Sequence, residues 1–412
     1  WLRLPFGALL LGAAALYLVL PFSRFHLMPV VGLYVNDTVM QQSNYQHNGL
    51  IGGFALNIGN LAVPVPEGYS ETRMDQLLAE YDGSGVSEHF LYPDILIVMS
   101  ESFFDVNGLE KVSYERDPLA EFQSAAAGEH ARCGAMVSPT LGGGTVRTEL
   151  EFLTGLTVGG LPDGSVPYQQ YIRAPLWTYA DLYDDLGYTT IAMHTNTRTF
   201  YDRDKGYEFM GFDAFFGSED LQTRYPQIPA RVKGGYTSDD SFTDYMLELL
   251  QSERRADEPM LIYGISMENH QSYVDKYSDD ELDLHAASDT LSPEHLDIAE
   301  NVGQGIYDAD QCLGRLRRYV DQAERPTVLL FFGDHLPTLG TSHSVMVETN
   351  FVHDETWDED DLYRMYTPPY LMYANFALKE DAFVPAGGAV CSYNLFNYLS
   401  DAIDAPYTDY MA

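Results

Sequence analysis

Side chains that could do chemistry follow four short apolar runs of the sequence. In chain order these are residues 94–100 with Glu101, 188–193 with His194, 260–266 with His270 shortly after, and 327–332 with Asp334 and His335. Such runs are typical of strands covered on both faces, as in parallel sheets, and ligands collect beyond the carboxyl ends of those strands. Carboxylates, a histidine and a nearby hydroxyl suit Mn²⁺, Mg²⁺ or Zn²⁺. The pattern therefore predicts a divalent-metal site at this edge.

Asp334 and His335 are adjacent in the chain, and neighbouring strand residues point to opposite faces. They could share one ion only where the strand ends in a turn, which Gly333 and Pro337 on either side supply. Each feature also has a simpler explanation. A glutamate after a strand often caps a helix, and a Gly-Asp-His triplet often only forms a turn. The coincidence at several strand ends is what favours a site.

A glycine run precedes a possible nucleophile. Gly142, Gly143 and Gly144 lead into Thr145 and an amphipathic helical pattern. Glycines before a helix let the backbone approach an anion and aim N–H groups at it. A threonine there could attack a phosphoryl group if a metal lowers the pKa of its hydroxyl. The residues alone slightly favour the alternative, in which Thr145 caps the helix after a tight glycine turn.

The elements that must position these residues are strands alternating with helices. Helical patterns near 176–186, 239–254 and 295–323 fall between the apolar runs. This alternation predicts an α/β fold with a mostly parallel central sheet and helices on both faces.

The first residues indicate a membrane span. Residues 4–22 are 19 residues without a charge, which fits one crossing of about 20 residues. A buried core helix and a signal peptide are the alternatives, and no small-residue cleavage site follows. We expect a transmembrane helix in residues 1–23, a juxtamembrane connector in 24–90 and a catalytic domain in 91–412. Because the chain starts at Trp1, we expect a longer protein with further membrane helices upstream.

The composition limits the class of partner. The chain has 61 acidic and 23 basic side chains and a net charge of −38. A broad nucleic-acid interface needs Lys and Arg to neutralise phosphates, so we expect no nucleic-acid partner. One anionic ligand in a local pocket is compatible with this charge, because repulsion is screened within about 8 Å. The three cysteines are too few for a disulfide framework or a cysteine-based zinc site.

Five sequence blocks in order resemble lipoteichoic acid synthases and related phosphoglycerol transferases, of the sulfatase-like branch of the alkaline phosphatase superfamily. The blocks are PDILIVMSESFFD (93–105), SPTLGGGTVRTELEFLTG (138–155), MHTNTRTFYDRDKGYEFMGFD (193–213), SMENHQSY (266–273) and FFGDHLP (331–337). The resemblance implies that Thr145 is the nucleophile and also contacts the metal. It implies that Glu101, Asp334 and His335 are metal ligands, and that the metal is typically manganese.

The resemblance also implies a substrate pocket. Tyr201 and Arg203 fall where the family places an aromatic residue and an arginine around the substrate phosphate and glycerol. His194 and His270 fall at its pocket histidines, which either shuttle a proton or only hydrogen-bond the substrate. Arg203 would offer a bidentate fork to the phosphate. Tyr201 stands where tryptophan is usual and Arg147 where a small or acidic residue is usual, which puts the transferred group in doubt.

The activity that the resemblance implies is transfer of a glycerophosphate, or a related phospho group, through a phosphothreonine. The donor would be a membrane phospholipid, phosphatidylglycerol, and the acceptor a glycolipid or teichoic polymer. The enzyme would lie in the cell membrane with its catalytic domain outside. The alternatives are a phosphodiesterase, a phosphoethanolamine transferase, or a non-catalytic glycolipid-binding protein on this fold. No Cys/Ser-x-Pro-x-Arg segment of a formylglycine sulfatase occurs, and three cysteines fit the disulfide-rich phosphoethanolamine transferases poorly.

Overall fold

The structure is a computed structural model that describes residues 41–59, 63, 65, 68–78, 87–162, 164–354, 356–380, 382 and 388–406. The predicted span in residues 1–23 lies outside these residues, as does much of the predicted connector in 24–90. Among the described helices, none combines the length and apolar character needed to cross a membrane. The chain divides into two compact units, Trp1–Gln76 with Val158–Val166, and Leu77–Thr157 with Pro167–Ala412.

The elements of the described residues alternate between strands and helices. The strands are β1 Asp94–Ser100, β2 Ser113–Tyr114, β3 Ala131–Val137, β4 Thr189–His194, β5 Ala214–Phe216, β6 Val232–Lys233, β7 Tyr236–Thr237, β8 Met260–Ile265, β9 Ala286–Ala287, β10 Thr327–Gly333, β11 Pro369–Ala374 and β12 Ala389–Cys391. The α-helices are α1 Gln41–Gly59, α2 Glu71–Leu78, α3 Ala120–Ala126, α4 Thr145–Thr154, α5 Pro167–Gln170, α6 Tyr179–Asp185, α7 Arg203–Tyr207, α8 Ser218–Arg224, α9 Asp239–Ser252, α10 Pro293–Gln322, α11 Ser344–Glu348, α12 Glu359–Tyr366 and α13 Ser392–Ala402.

Eight strands form one sheet, in the order β12–β3–β11–β10–β1–β8–β4–β5. Every neighbouring pair is parallel except the two that β11 makes, with β10 and with β3. The prediction of a mostly parallel α/β sheet is therefore confirmed. The four runs that the sequence marked as strands are β1, β4, β8 and β10, and they stand side by side at the centre.

The register aligns the carboxyl ends of these four strands. Ser100 at the end of β1 pairs with Gly333 at the end of β10, and His194 at the end of β4 pairs with Ile265 at the end of β8. The residues that follow the strands therefore emerge along one edge of the sheet, which is where an open α/β fold places its ligands.

Helices cover both faces of the sheet, which explains why the central strands are buried throughout. On one face α9 and α10 join a core cluster with β1, β8 and β10 that includes Leu96, Phe242 and Leu313. On the other face α4 and α13 pack through aromatic rings. The Phe152 ring centroid lies 4.7 Å from that of Phe332 and 5.0 Å from that of Phe396. Continuous apolar strands need this two-sided cover.

Candidate active site

Three side chains converge at the carboxyl edge of the sheet. Glu101 directly follows β1, and Asp334 and His335 directly follow β10. One ligand atom from each lies within 4.8 Å of the others. His335 Nε2 is 3.2 Å from Asp334 Oδ2 and 3.8 Å from Glu101 Oε1. All three side chains are buried, so the structure brings the predicted ligand set together in a site shielded from water.

Each of the three residues directs a buried atom without a hydrogen-bond partner into this cluster. These atoms are Glu101 Oε2, Asp334 Oδ2 and His335 Nε2. Leaving carboxylate oxygens and an imidazole nitrogen buried and unpaired is costly. Two anionic ligands and one neutral nitrogen are a donor set that a divalent cation satisfies. The residues present therefore fit such a cation.

The remaining polar atoms of the cluster are fixed by the surrounding backbone and hydroxyls. Ser102 Oγ donates to Glu101 Oε1 at 3.0 Å, and Ser102 N donates to Asp334 Oδ1 at 2.8 Å. His335 Nδ1 lies 3.1 Å from the Leu336 carbonyl oxygen. When Nδ1 carries the proton and donates to that carbonyl, the Nε2 lone pair is left for a metal. Outer partners of this kind orient metal ligands.

Burial and charge repulsion act on Glu101. Burial, and then the adjacent Asp334 carboxylate, raise the pKa of Glu101 to about 7. Two carboxylates sharing one site disfavour the second charge, and a bound cation removes that penalty. The direction of this shift is the one expected where two buried carboxylates share a site that a cation could fill.

Thr145 is the first residue of α4, and the glycine run shapes the loop before it. Gly142, Gly143 and Gly144 have φ values of 68°, 144° and 83°, a region that side chains rarely adopt. The N-cap is Gly144, so Thr145 does not cap the helix. Its side chain is nearly buried. The alternative explanation of Thr145 as a helix cap does not apply.

Hydrogen bonds attach the start of α4 to the segment that carries Asp334 and His335. Thr148 lies one helical turn after Thr145, and its Oγ1 donates to the Asp334 carbonyl oxygen at 3.0 Å. Ser138 Oγ donates to the same carbonyl at 2.8 Å, and Gly142 N donates to the Leu336 carbonyl at 2.8 Å. These contacts place the threonine end of α4 beside Asp334 and His335. Sequence reasoning missed Ser138 and Thr148.

Arg203 forms a buried ion pair that the sequence did not predict. Its Nε and Nη2 donate to the carboxylate of Glu149 at 2.8 to 3.2 Å, and both side chains are at most 1% exposed. Tyr168 and Tyr207 hydroxyls also donate to Glu149. The Nε and Nη2 edge of Arg203, which the resemblance implies would bind a phosphate, is therefore hydrogen-bonded to Glu149 in this structure. The other guanidinium nitrogen, Nη1, contacts His194 Nε2 at 3.1 Å.

The two pocket histidines differ in their surroundings. His194 is buried, its Nδ1 lies 3.2 Å from the Ile265 carbonyl oxygen, and burial followed by the Arg203 charge holds its pKa well below the usual range. It is therefore neutral at working pH. His270 is half-buried and its Nδ1 contacts the Tyr236 hydroxyl and the Gln271 carbonyl. Burial also lowers its pKa, and its Nε2 is the ring nitrogen that makes neither of these contacts.

Tyr201 lies over Arg203 in a strained backbone conformation. Its φ is 62°, and its ring centroid is 5.3 Å from the Arg203 guanidinium carbon. The ring is half-buried. The structure thus gathers Tyr201, Arg203 and His194 in one contacting group, and of these Tyr201 is the most accessible. Non-glycine residues with positive φ tend to occur at functional sites.

Comparisons with known proteins agree on one family. The family model described as Sulfatase matches residues 93–401. A protein of Rhizobium meliloti (strain 1021) named for cyclic β-1,2-glucan modification is 31% identical over 306 residues, 74% of this chain and 45% of that protein. The chain spans about half the length, or less, of the curated relatives it matches.

Two solved structures share the fold. The Streptococcus pyogenes phosphoglycerol transferase GacH, in complex with sn-glycerol-1-phosphate, has a TM-score of 0.68 at 21% identity, covering 85% of this chain and 86% of that one. The lipoteichoic acid synthase LtaP from Listeria monocytogenes has a TM-score of 0.56 at 18% identity, covering 82% and 81%. At these identities the likeness establishes the alkaline phosphatase-like fold.

Proposed function

The chain belongs to the sulfatase family, and we propose that within it the chain is a metal-dependent phosphotransferase of the phosphoglycerol transferase type. One observation carries the proposal. The buried unpaired atoms of Glu101, Asp334 and His335 lie at the sheet edge to which hydrogen bonds attach the start of α4, where Thr145 stands. A hydroxyl nucleophile beside a cation site is the minimal equipment for phosphoryl transfer.

Glu101, Asp334 and His335 would hold the cation, with the Thr145 hydroxyl as a further ligand. We propose Mn²⁺, with Mg²⁺ and Zn²⁺ as alternatives, because oxygen and imidazole ligands suit all three. When bound, the cation supplies positive charge that neutralises a phosphoryl oxygen and lowers the pKa of the Thr145 hydroxyl.

The reaction has two displacements at phosphorus. In the first, Thr145 Oγ forms a bond to the phosphorus of a glycerophospholipid, the bond to the diacylglycerol oxygen breaks, and the threonine proton ends on diacylglycerol. In the second, an acceptor hydroxyl oxygen replaces Thr145 Oγ on phosphorus, and the acceptor proton returns to the threonine. The transferred group is glycerophosphate when the donor is phosphatidylglycerol.

The contacts of the pocket side chains indicate a different role for each of them. Arg203 contributes positive charge and holds His194, since its bidentate edge is already on Glu149. His270, with Nε2 directed away from its Nδ1 partners, is the better candidate for moving a proton. Tyr201, half-buried beside Arg203, would contact the transferred headgroup. We propose all four as substrate-site residues.

The setting follows from the donor. A phospholipid leaves the bilayer at a cost of about 0.8 kcal/mol for each exposed CH₂, so the catalytic domain of residues 91–412 would work at the membrane surface. We propose an extracellular domain carried by membrane helices that include residues 1–23. The acceptor would be a glycolipid or a polymer, and the relative named for cyclic β-1,2-glucan modification favours a carbohydrate.

Release of diacylglycerol from fluorescent phosphatidylglycerol in vesicles tests the proposal. The full chain with Mn²⁺ should release diacylglycerol, and omission of the metal or Thr145→Ala should abolish release. Vesicles that contain phosphatidylethanolamine are tested in the same way, and diacylglycerol release from them would identify a phosphoethanolamine transferase. Product analysis with and without a polyol acceptor separates transfer from hydrolysis. Undiminished release by Thr145→Ala would overturn the mechanism. Absence of release from a folded, Mn²⁺-loaded chain would favour the non-catalytic alternative.

A further inference from the structure

A cavity of about 270 Å³ lies beside the glycine loop that precedes Thr145. Two of its lining residues lie close to Gly142. Gln271 Nε2 donates to the Gly142 carbonyl oxygen at 3.1 Å, and a Cβ at Gly142 would lie 2.2 Å from Thr338 Oγ1. Gly142 stands three residues before the nucleophile, so the cavity opens next to the loop that presents Thr145.

The lining of this cavity is polar without being basic. The amide of Gln271, the carboxylate of Glu294 and three hydroxyls line it, and Ile298 adds a small apolar patch. The hydroxyls belong to Ser272, Thr338 and Thr341. The lining contains no lysine, arginine or histidine, and all of its residues fall within the described ranges. Amide, hydroxyl and carboxylate groups hydrogen-bond the hydroxyls of a sugar, and an apolar patch suits the face of its ring. The volume of about 270 Å³ lies just below the roughly 300–1,000 Å³ of small-molecule sites and has room for one sugar unit.

The electrostatics of the cavity disfavour an anionic occupant. Glu294 adds a negative charge to the lining, and no basic side chain of the lining offsets that charge. A phosphate-bearing polymer would meet no basic side chain here, whereas phosphate recognition in proteins rests on Arg, Lys or backbone N–H groups. The donor phosphate therefore belongs at the metal-ligand cluster, and this cavity is left for the second substrate.

We propose that this cavity is the acceptor site and that its ligand class is a neutral polyhydroxyl compound, the sugar part of a glycolipid or a glucan. This inference rests on the proposed phosphotransferase function. A hydroxyl oxygen of the bound sugar forms the new bond to phosphorus, and the bond from phosphorus to Thr145 Oγ breaks. The hydroxyl proton ends on Thr145 Oγ, so the enzyme is restored.

The test measures how the phosphothreonine intermediate divides between sugar and water. The full chain in detergent is supplied with fluorescent phosphatidylglycerol, Mn²⁺ and either sophorose, a neutral disaccharide, or sn-glycerol-1-phosphate, an anionic polyol. Ser272→Trp and Thr341→Trp fill the cavity, and Glu294→Gln removes its charge with little change of shape. Thr223→Trp, at an exposed threonine of α8 outside the lining, is the matched control. Mass spectrometry gives the ratio of transferred to hydrolysed product, and melting temperatures report folding.

We expect wild type to prefer sophorose, and both tryptophan variants to raise the KM for sophorose by about tenfold or more, as when one or two hydrogen bonds are lost. Their ratio of transfer to hydrolysis should fall, while Thr223→Trp should match wild type.

An unchanged KM and an unchanged ratio in the tryptophan variants would overturn the acceptor site without affecting the proposed phosphotransferase function. If the tryptophan variants have lower melting temperatures than wild type, the Glu294→Gln variant provides the test. A KM for sophorose equal to that of wild type would then overturn the proposed acceptor site. A preference for sn-glycerol-1-phosphate overturns the ligand class. Absence of Thr145-dependent diacylglycerol release by wild type would instead overturn the function itself.

Discussion

The buried pair of Arg203 and Glu149 yields a quantitative prediction about stability. The Glu149 carboxylate accepts from Arg203 Nε and Nη2 and from the hydroxyls of Tyr168 and Tyr207, and its side chain has no solvent exposure. Glu149→Leu leaves the guanidinium and two tyrosine hydroxyls without their acceptor. Removing one partner of a buried ion pair costs about 3–5 kcal/mol. That is a large share of the about 5–15 kcal/mol by which domains are stable.

The chain offers a matched exposed control. Glu253 also accepts from an arginine fork and a tyrosine hydroxyl, those of Arg224 and Tyr225. There the arginine side chain is 51% exposed, so water replaces the lost partner. Glu253→Leu should therefore cost only about 0–1 kcal/mol. The comparison keeps the chemistry of the pair constant and changes its burial.

Urea denaturation of wild type, Glu149→Leu, Glu253→Leu, Arg203→Met and the double variant Glu149→Leu with Arg203→Met measures these free energies of unfolding. The double variant should recover a substantial part of the loss, because it leaves no unpaired buried charge. Equal costs for Glu149→Leu and Glu253→Leu would refute the reasoning from burial. A double variant whose cost equals the sum of its single variants would refute the coupling between Arg203 and Glu149.

Two further predictions concern the metal and the glycine loop. Since Glu101 has a pKa raised to about 7 without metal and only its carboxylate form binds a cation, Mn²⁺ affinity should fall by up to about tenfold per pH unit below pH 7. Calorimetric titrations in buffers of different ionisation enthalpy should detect the released proton, and a constant affinity between pH 5.5 and 7.5 would contradict this. Gly142→Ala should lower the free energy of unfolding by about 1–2 kcal/mol or more, and it should also lower transfer activity. Both effects are expected because φ is +68° and the new Cβ would meet Thr338. Gly235→Ala, with φ +85° in open space, bears the backbone strain alone. A Gly142→Ala activity no lower than that of Gly235→Ala would exclude a role for the Thr338 contact.

The sequence predicted the centre of the sheet and not its margin. β1, β4, β8 and β10 are continuous apolar runs because helices cover both of their faces. β3 is only partly buried and contains an arginine and a glycine, so its pattern gives no comparable signal. The antiparallel direction of β11 depends on how the chain returns to the sheet, which residue periodicity does not encode.

The candidate site could likewise be predicted from the sequence only in part. Residues that follow buried strands can be placed at a common edge from pattern alone, which is how Glu101, Asp334 and His335 were found. Glu149 looks like an ordinary polar residue of an amphipathic helix, and its partner Arg203 lies 54 positions further along the chain. Nothing local in the sequence pairs the two. The roles of Tyr201, His194 and His270 came from family resemblance, and they remain proposals.

The central claim is that Thr145 carries the transferred group, and trapping that intermediate tests it most directly. Wild type is mixed with phosphatidylglycerol and Mn²⁺ without an acceptor, quenched in acid, digested and mapped by mass spectrometry. Thr145→Ala and Thr148→Ala, which removes the neighbouring hydroxyl of the same helix, are treated in the same way. We predict a glycerophosphate adduct on Thr145 in wild type and in Thr148→Ala, and none in Thr145→Ala. Metal-dependent diacylglycerol release with the adduct on another residue, or with no adduct on Thr145 at any quench time, would contradict the account.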